Sequence, residues 1–294
     1  MLFRRKEQKE VVKDEEALRK LPHNRKEVFW DLIKHRKMTL FALSCFTFMF
    51  FIPLAVDLFY FNFIEVAAIA SEKYEYLFSL VLTSMLIMIP CMIIGFIGLS
   101  GAFYTAKRLV WQEDVSLGND FLKGIKENLL QGFINGLIFG VVLFGLVVGG
   151  TFLLVAPNLS EILKGIGIGA LILLVLTFGM VIPLNFAQSV YYSNSYRVTL
   201  KNSFSFLGLL NWRILVTFLL STGVVITLCC FNFITLAIGL FLFAILNSVV
   251  VIIYTLLAHH AFDKYINQEH YPEYVGKGLY KANTKKEEEE TKED

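Results

Sequence analysis

Long apolar segments with at most one charged residue each constrain this chain more than any other feature of its sequence. Six of them lie near 38–63, 77–104, 129–156, 162–190, 212–230 and 234–260. A membrane-crossing helix needs ~20 mostly apolar residues, because in hydrocarbon every backbone N–H and C=O must be bonded within the segment itself. The 56% share of hydrophobic residues agrees, since a soluble domain has no lipid to cover so much apolar surface. The pattern predicts an all-α polytopic membrane helical bundle with six transmembrane helices.

The last two segments run together over residues 212–260, which is too long for one helix across a ~30 Å hydrocarbon core. We therefore expect the chain to fold back at residues 230–232.

The distribution of basic residues predicts the orientation of the chain. Of the 27 Lys and Arg residues, all but Lys73 and Lys164 lie before the first span, after the last span, between spans two and three, or between span four and the first residues of span five. Loops rich in Lys and Arg stay on the cytoplasmic side of a membrane. Both termini are therefore predicted to be cytoplasmic, in a multi-pass protein of the plasma membrane.

This layout divides the chain into three parts. Residues 1–37 form a charged cytoplasmic arm, in which Asn24 and Glu27 predict the start of an interfacial helix. Residues 38–260 form the transmembrane domain. Residues 261–294 form a cytoplasmic tail, which we expect to be disordered beyond about residue 275 because its charged sequence buries no apolar area.

Two amphipathic elbow helices are predicted before spans three and five. The first, residues 119–129 (NDFLKGIKENL), places its apolar residues on one side and its charges on the other, with Asn119 or Asp120 as the cap. The second covers residues 199–207. Each follows a span interrupted by proline, at Pro90 and Pro183. This arrangement of elbow and span is explained equally well by two related units offset by about 79 residues and by a chance likeness.

Sequence signatures of enzymes are absent. There is no phosphate-binding glycine loop, no H-E-x-x-H, no C-x-x-C and no G-x-S-x-G motif. The adjacent His259 and His260 point ~100° apart on a helix, which favours a structural role over metal binding. The net charge of +2 does not suggest nucleic acid. We expect a non-enzymatic protein without cofactor or metal.

Polar residues within the spans are few. Asp57 is an intramembrane acid, and a buried charge of this kind is a functional candidate by default. We expect hydrogen bonds between helices from Asn135, Asn185, Gln188 and Asn247.

Small residues at helical spacing predict close packing between helices. They are Gly98, Gly101, Ala102, Gly136, Gly140, Gly145 and Gly149. The sequence leaves open whether they pack within the chain or against a second copy, and it leaves the oligomeric state unknown.

Residues 98–115 (GLSGAFYTAKRLVWQEDV), followed by Asp120, Phe121 and a Lys-rich elbow, resemble the YesL-like family of bacterial membrane proteins. That family carries a Gly/Ala-rich helix end, an Arg/Trp segment, an acidic pair and an Asp-Phe elbow. The long charged arm, the Glu-rich tail and a missing proline beside Gly101 depart from the family pattern.

The resemblance implies a protein of unknown activity that is encoded beside carbohydrate ABC importers. It suggests an accessory or assembly partner of such an importer, with a cytoplasmic polar cluster as the docking surface. The candidate residues of this cluster are Arg108, Trp111, Glu113, Asp114, Asp120, Phe121 and Lys123. The alternative is a small-solute transporter or channel, for which Asp57 is the candidate residue, and a membrane-embedded enzyme is a third possibility.

Overall fold

The computed structural model describes residues 22–70, 77–155, 159–210, 212–229 and 232–279, and within these ranges it holds helices and turns but no strand. The chain is an all-α polytopic helical bundle. Its helices are α1 (Arg25–His35), α2 (Lys37–Ala70), α3 (Leu77–Val110), α4 (Leu117–Glu127), α5 (Leu129–Phe144), α6 (Gly150–Val155), α7 (Glu161–Tyr191), α8 (Tyr196–Leu210), α9 (Trp212–Phe218), α10 (Val224–Cys229), α11 (Phe233–Phe262) and α12 (Gln268–His270).

Three π-helical turns join some of these helices without a break. Gly145–Gly149 connects α5 to α6, Leu219–Gly223 connects α9 to α10, and Asp263–Asn267 continues α11 into α12. A short 3₁₀ turn, Pro272–Tyr274, follows.

Five helical segments of the described chain are long and apolar enough to cross a membrane. They are Lys37–Ile64, Phe78–Val110, Leu129–Leu154, Glu161–Tyr191 and Phe233–His270. The predicted fifth span is not among these five segments. Trp212–Leu228 reaches the length needed to cross a membrane only together with α8, and the two are bent by 101° relative to each other. The count is therefore five, or six if this bent pair is one span.

Helix α3 lies at the centre of the bundle and packs against α2, α4, α5, α7 and α11. Its Phe96 joins the rings of Phe51, Phe139 and Phe186, with centroids 5.5 to 6.4 Å apart. Large apolar side chains remain exposed on the outer surface of the bundle, as lipid-facing helices require. The apolar core therefore forms around α3, and the outward surface is suited to hydrocarbon.

The prolines inside α3 and α7 do not end these helices. Both helices run through Pro90 and Pro183, so the predicted interruption of the spans was wrong. In hydrocarbon a helix with a proline keeps its remaining backbone bonds, because no water replaces them.

Local caps fix where the shorter helices start. Asn24 caps α1 by accepting the Glu27 backbone N–H at 2.9 Å, as predicted. Helix α4 begins earlier than predicted, at Leu117 with Ser116 as its N-cap residue, so neither Asn119 nor Asp120 caps it. The Asp120 carboxylate instead accepts a hydrogen bond from the Ser116 backbone N–H at 2.8 Å. In α11, Asn232 and Thr235 form a reciprocal capping box.

Helix α1, residues 111–116, α4 and residues 263–279 meet at one end of the bundle, called the Trp111 end below. Helix α1 and residues 263–279 are in contact there, because Arg25 bonds to Asp263 and to the Lys277 carbonyl. Lys277 and Gly278 lie against Trp111, while residues 280–294 of the predicted disordered tail fall outside the described residues. Residues 230 and 231 of the turn predicted at 230–232 also fall outside them, and Asn232 caps α11.

Candidate functional site

The loop between α3 and α4 is fixed at the Trp111 end by ionic contacts. Arg108 binds Glu113 at 3.0 Å through Nε and binds Asp120 through Nη1. Lys277 reaches the other oxygen of Glu113 at 3.1 Å, and Arg36 donates to the Glu113 carbonyl at 3.2 Å. Three cations from different parts of the chain therefore hold one short loop.

The cations around Glu113 change the pKa of its carboxyl. Its partial burial by itself would raise the pKa of the carboxyl, but the hydrogen bonds and charges of Lys277 and Arg108 outweigh burial and lower it. Glu113 is therefore an ionised carboxylate at neutral pH, and its charge contributes to holding the loop.

The backbone of the loop also turns sharply. Gln112 has a φ of +57°, which is uncommon for a residue with a side chain. Hydrogen bonds from Gln112 N–H to the Leu109 carbonyl and from Glu113 N–H to the Arg108 carbonyl, both 3.0 Å, stabilise this turn. The turn ends α3 and directs Asp114 outward, where it is exposed and makes no ion pair with any described residue.

A buried polar network lies under this loop. Trp111 donates its indole N–H to His259 Nε2 at 2.9 Å, and His259 Nδ1 lies 3.0 Å from Asp263 Oδ2. Arg25 binds the same carboxylate oxygen at 3.0 Å, and the Asn267 amide donates to Asp263 Oδ1 at 2.8 Å. The network joins α1, the residue that follows α3, and the end of α11 with the π-helical turn after it.

The donors around His259 determine its tautomer. Nε2 faces the indole N–H of Trp111 and a guanidinium N–H of Arg25 at 3.3 Å, so it must act as an acceptor. The ring proton therefore sits on Nδ1 and is donated to Asp263. His259 has no exposed surface, and each of its nitrogens is engaged within the chain.

Two lysines lie over the faces of Trp111. Lys277 Nζ is 3.7 Å from a Trp111 ring centroid and Lys107 Nζ is 4.5 Å from one. Lys107 also donates to the Val190 carbonyl at 2.6 Å. An ammonium over an indole is attracted by the negative face of the ring, so both lysines stabilise the position of Trp111.

Gly278 allows the C-terminal segment to approach Trp111. Its φ is +81°, and an added Cβ would lie 2.6 Å from the Val110 carbonyl oxygen and 2.8 Å from Trp111 Cα. Only glycine fits such a close approach of two backbones.

The elbow helix α4 packs on α3 through small residues. An added Cβ on Gly101 would lie 2.7 Å from the Phe121 carbonyl oxygen, and one on Gly124 would lie 2.4 Å from Tyr104 Cβ. Phe121 and Ala102 are buried, and Gly98 lies against Phe50 of α2. Lys123 remains on the outer side of the elbow, 3.8 Å from Glu127.

The other small residues divide into two groups. Gly136 and Gly140 of α5 lie on the backbone of α3, with added Cβ positions 2.6 Å from Ile93 Cα and 3.2 Å from Ile89 Cα. Gly149 has only an ordinary contact, 3.5 Å from a Leu171 methyl, and Gly145 has nothing within 4 Å among the described atoms. Among these glycines, the close approach to α3 is therefore made by Gly136 and Gly140 of α5, and not by Gly145 and Gly149 of the π-helical turn that follows.

Polar residues within the bundle form hydrogen bonds between helices. Asn135 donates to Asn185 at 3.0 Å, and Asn247 donates to the Ser44 carbonyl at 3.1 Å, which confirms the predicted role of these asparagines. Gln188 is buried, and its side chain makes no hydrogen bond to a described residue. Asp57 is also buried and lies 3.3 Å from the Ser84 hydroxyl, far along α2 from the Trp111 end.

The sequence alone did not indicate Arg25, Asp263 and Asn267 as members of a polar network. A local signal existed, because His259, Asp263 and Asn267 are spaced by four residues and therefore share one face of a helix. Arg25 had no such signal, since it meets Asp263 across 238 residues.

Comparisons with family models, with curated proteins and with solved structures return no match to this chain. The fold therefore defines a class, a helical bundle suited to a bilayer, and the residues at the Trp111 end carry the argument about function.

Proposed function

We propose that this chain is a non-enzymatic protein of the cell membrane that serves as an accessory or assembly partner of a carbohydrate ABC importer. In this proposal both termini and the Trp111 end face the cytoplasm. The excess of Lys and Arg at that end and the resemblance of residues 98–115 to the YesL-like family support it.

The observation that carries the proposal is the fixed loop with an outward acidic tip. Arg108, Arg36 and Lys277 hold Glu113, while Asp114 next to it is exposed and unpaired among the described residues. Pre-organised surfaces bind partners with a smaller loss of conformational entropy. A loop of this kind is suited to docking on a basic surface of another protein.

The buried network favours a structural over a catalytic role for its histidine. His259 has no exposed surface and both of its ring nitrogens are bonded within the chain, so a substrate cannot reach them in this conformation. The network instead holds Trp111, on which the loop rests.

Affinity purification in mild detergent tests this proposal. The tagged chain is isolated from bacteria growing on a complex carbohydrate, and importer subunits are quantified by mass spectrometry. We expect co-purification of importer subunits, a reduction of about tenfold for Asp114→Lys, and no reduction for the control Glu269→Lys, which changes another exposed carboxylate at the same end. Absence of importer subunits from the wild-type sample would count against the proposal.

A second candidate is transport of a small solute by this chain itself, and the observation that favours it is Asp57. Asp57 is 6% exposed, and its carboxylate accepts a hydrogen bond from the Ser84 hydroxyl. Buried intramembrane acids are common in ion and proton pathways. Solute or proton flux into proteoliposomes that is lost in Asp57→Asn would favour transport, whereas equal flux with and without protein would exclude it.

A further inference from the structure

We propose that a groove beside the elbow helix α4 binds an anionic phospholipid, with the lipid phosphate at Lys126 and an acyl chain along α5. The groove, called the elbow groove here, is lined by Ile97, Lys126, Glu127, Leu129, Leu130 and Phe133. It lies on the outer surface of the bundle, where α3, α4 and α5 meet.

The walls of the elbow groove are apolar and uncovered. Leu129, Leu130 and Phe133 are 50%, 61% and 45% exposed, and Ile97 of α3 forms the facing wall. Gly132 lets α5 approach α3 closely beside these walls, with an added Cβ only 2.9 Å from Ile97 Cα. A slot of this kind between two membrane helices suits a hydrocarbon chain.

The charge at the mouth of the groove selects the headgroup. Lys126 is exposed and has no ion-pair partner among the described residues. The one acid in the lining, Glu127, lies 3.8 Å from Lys123 and forms an ion pair with that lysine. The three residues together carry a net charge of +1, and Lys126 is the cation left for a phosphate. A lipid with a net negative charge is favoured over a zwitterionic one.

The packing of α4 fixes the height of Lys126. Phe121 and Gly124 bury one face of α4 against α3, so the charged face of this amphipathic helix turns outward. A helix of this type lies along the headgroup region of a bilayer. Lys126 therefore stands at headgroup level, and the apolar walls continue from it toward the hydrocarbon.

Native mass spectrometry of the full chain in detergent tests the proposal. The protein is titrated with phosphatidylglycerol and, separately, with phosphatidylcholine that carries the same acyl chains. We expect tighter binding of the first phosphatidylglycerol molecule, and we expect Lys126→Gln to weaken it about fivefold, in line with one lysine near a phosphate. Lys126→Arg keeps the charge and should keep the affinity.

The matched control is Lys201→Gln, which removes an exposed lysine from the other elbow helix, α8. This variant should bind phosphatidylglycerol as the wild type does. Leu130→Ser, which alters the wall and not the charge, should weaken both lipids. Equal affinity of the wild type for the two lipids, or an equal loss in Lys126→Gln and Lys201→Gln, would overturn the proposal. Matching circular dichroism spectra show that the variants are folded.

Discussion

The indole N–H of Trp111 donates to Nε2 of His259 at 2.9 Å, and both rings are buried at the end of the bundle. The two residues are 148 positions apart in the chain, so this bond ties the end of α3 to the end of α11. Four further contacts depend on the position of the indole, from Lys107, Lys277, Tyr191 and Tyr274.

We expect Trp111→Phe to destabilise the protein by about 1–3 kcal/mol, because His259 Nε2 loses its closest donor while remaining buried. Thermal unfolding followed by circular dichroism in detergent measures the change. The control Trp212→Phe alters an indole that is 63% exposed, and its unfolding temperature should match that of the wild type. Equal effects of the two substitutions would contradict the structural role of Trp111.

The contact between Arg25 and Asp263 should hold α1 on the bundle. Arg25→Met removes bonds to Asp263 and to the Lys277 carbonyl, and we expect a loss of about 1.5–3 kcal/mol because one partner is charged and mostly buried. Limited proteolysis should then cleave the chain near α1 sooner. Lys26→Met, at an exposed neighbouring position, is the control and should leave the digestion unchanged.

The lowered pKa of Glu113 predicts that the stability of the protein falls at acidic pH. Because its pKa is lowered in the folded state, its contribution is fully present above the unfolded value of ~4.3 and is lost as the pH falls through the folded pKa. The unfolding temperature of the wild type should therefore fall between about pH 5 and pH 3 more steeply than that of Glu113→Gln. Glu269→Gln should follow the wild-type curve, and a wild-type curve that parallels Glu113→Gln would refute the prediction.

Two glycines of α4 provide a matched pair. In Gly124→Ala the new methyl would lie 2.4 Å from Tyr104 Cβ and 3.0 Å from Gly101 Cα, so we expect a destabilisation of about 1–3 kcal/mol. In Gly118→Ala the methyl meets nothing within 4 Å, and the higher helix propensity of alanine should stabilise α4 by up to about 1 kcal/mol. Thermal unfolding distinguishes the two, and a stabilised Gly124→Ala would show that α4 does not pack on α3 as described.

The proposed orientation predicts which positions a membrane-impermeant thiol reagent reaches. In a variant without native cysteines, Ser160→Cys, at the start of α7, should be labelled in intact cells. Asp114→Cys, on the exposed loop, should be labelled only after the membrane is opened. The reverse pattern would place the Trp111 end outside the cell and would remove the basis of the proposed function.

The sequence predicts the helical class because length and apolarity act locally, as in Phe78–Val110 and Glu161–Tyr191. It also predicts the cap at Asn24, since a cap and its partner are three residues apart. The start of α4 was misjudged because Asp120 bonds backward to Ser116 instead of capping. The network around His259 could not be predicted as a whole, because its bonds to Arg25 and Trp111 depend on how distant helices pack.

The bonds of Arg25 have a consequence for biosynthesis. Its partners, the Asp263 carboxylate and the Lys277 carbonyl, follow it by 238 and 252 residues, so a ribosome must add all of these residues before α1 finds both partners. Until then the guanidinium has to remain hydrated or in the headgroup layer, and a prematurely terminated chain never acquires these ligands. Closure of this end therefore waits until residue 277 has been synthesised, which makes it a late event in the assembly of the bundle.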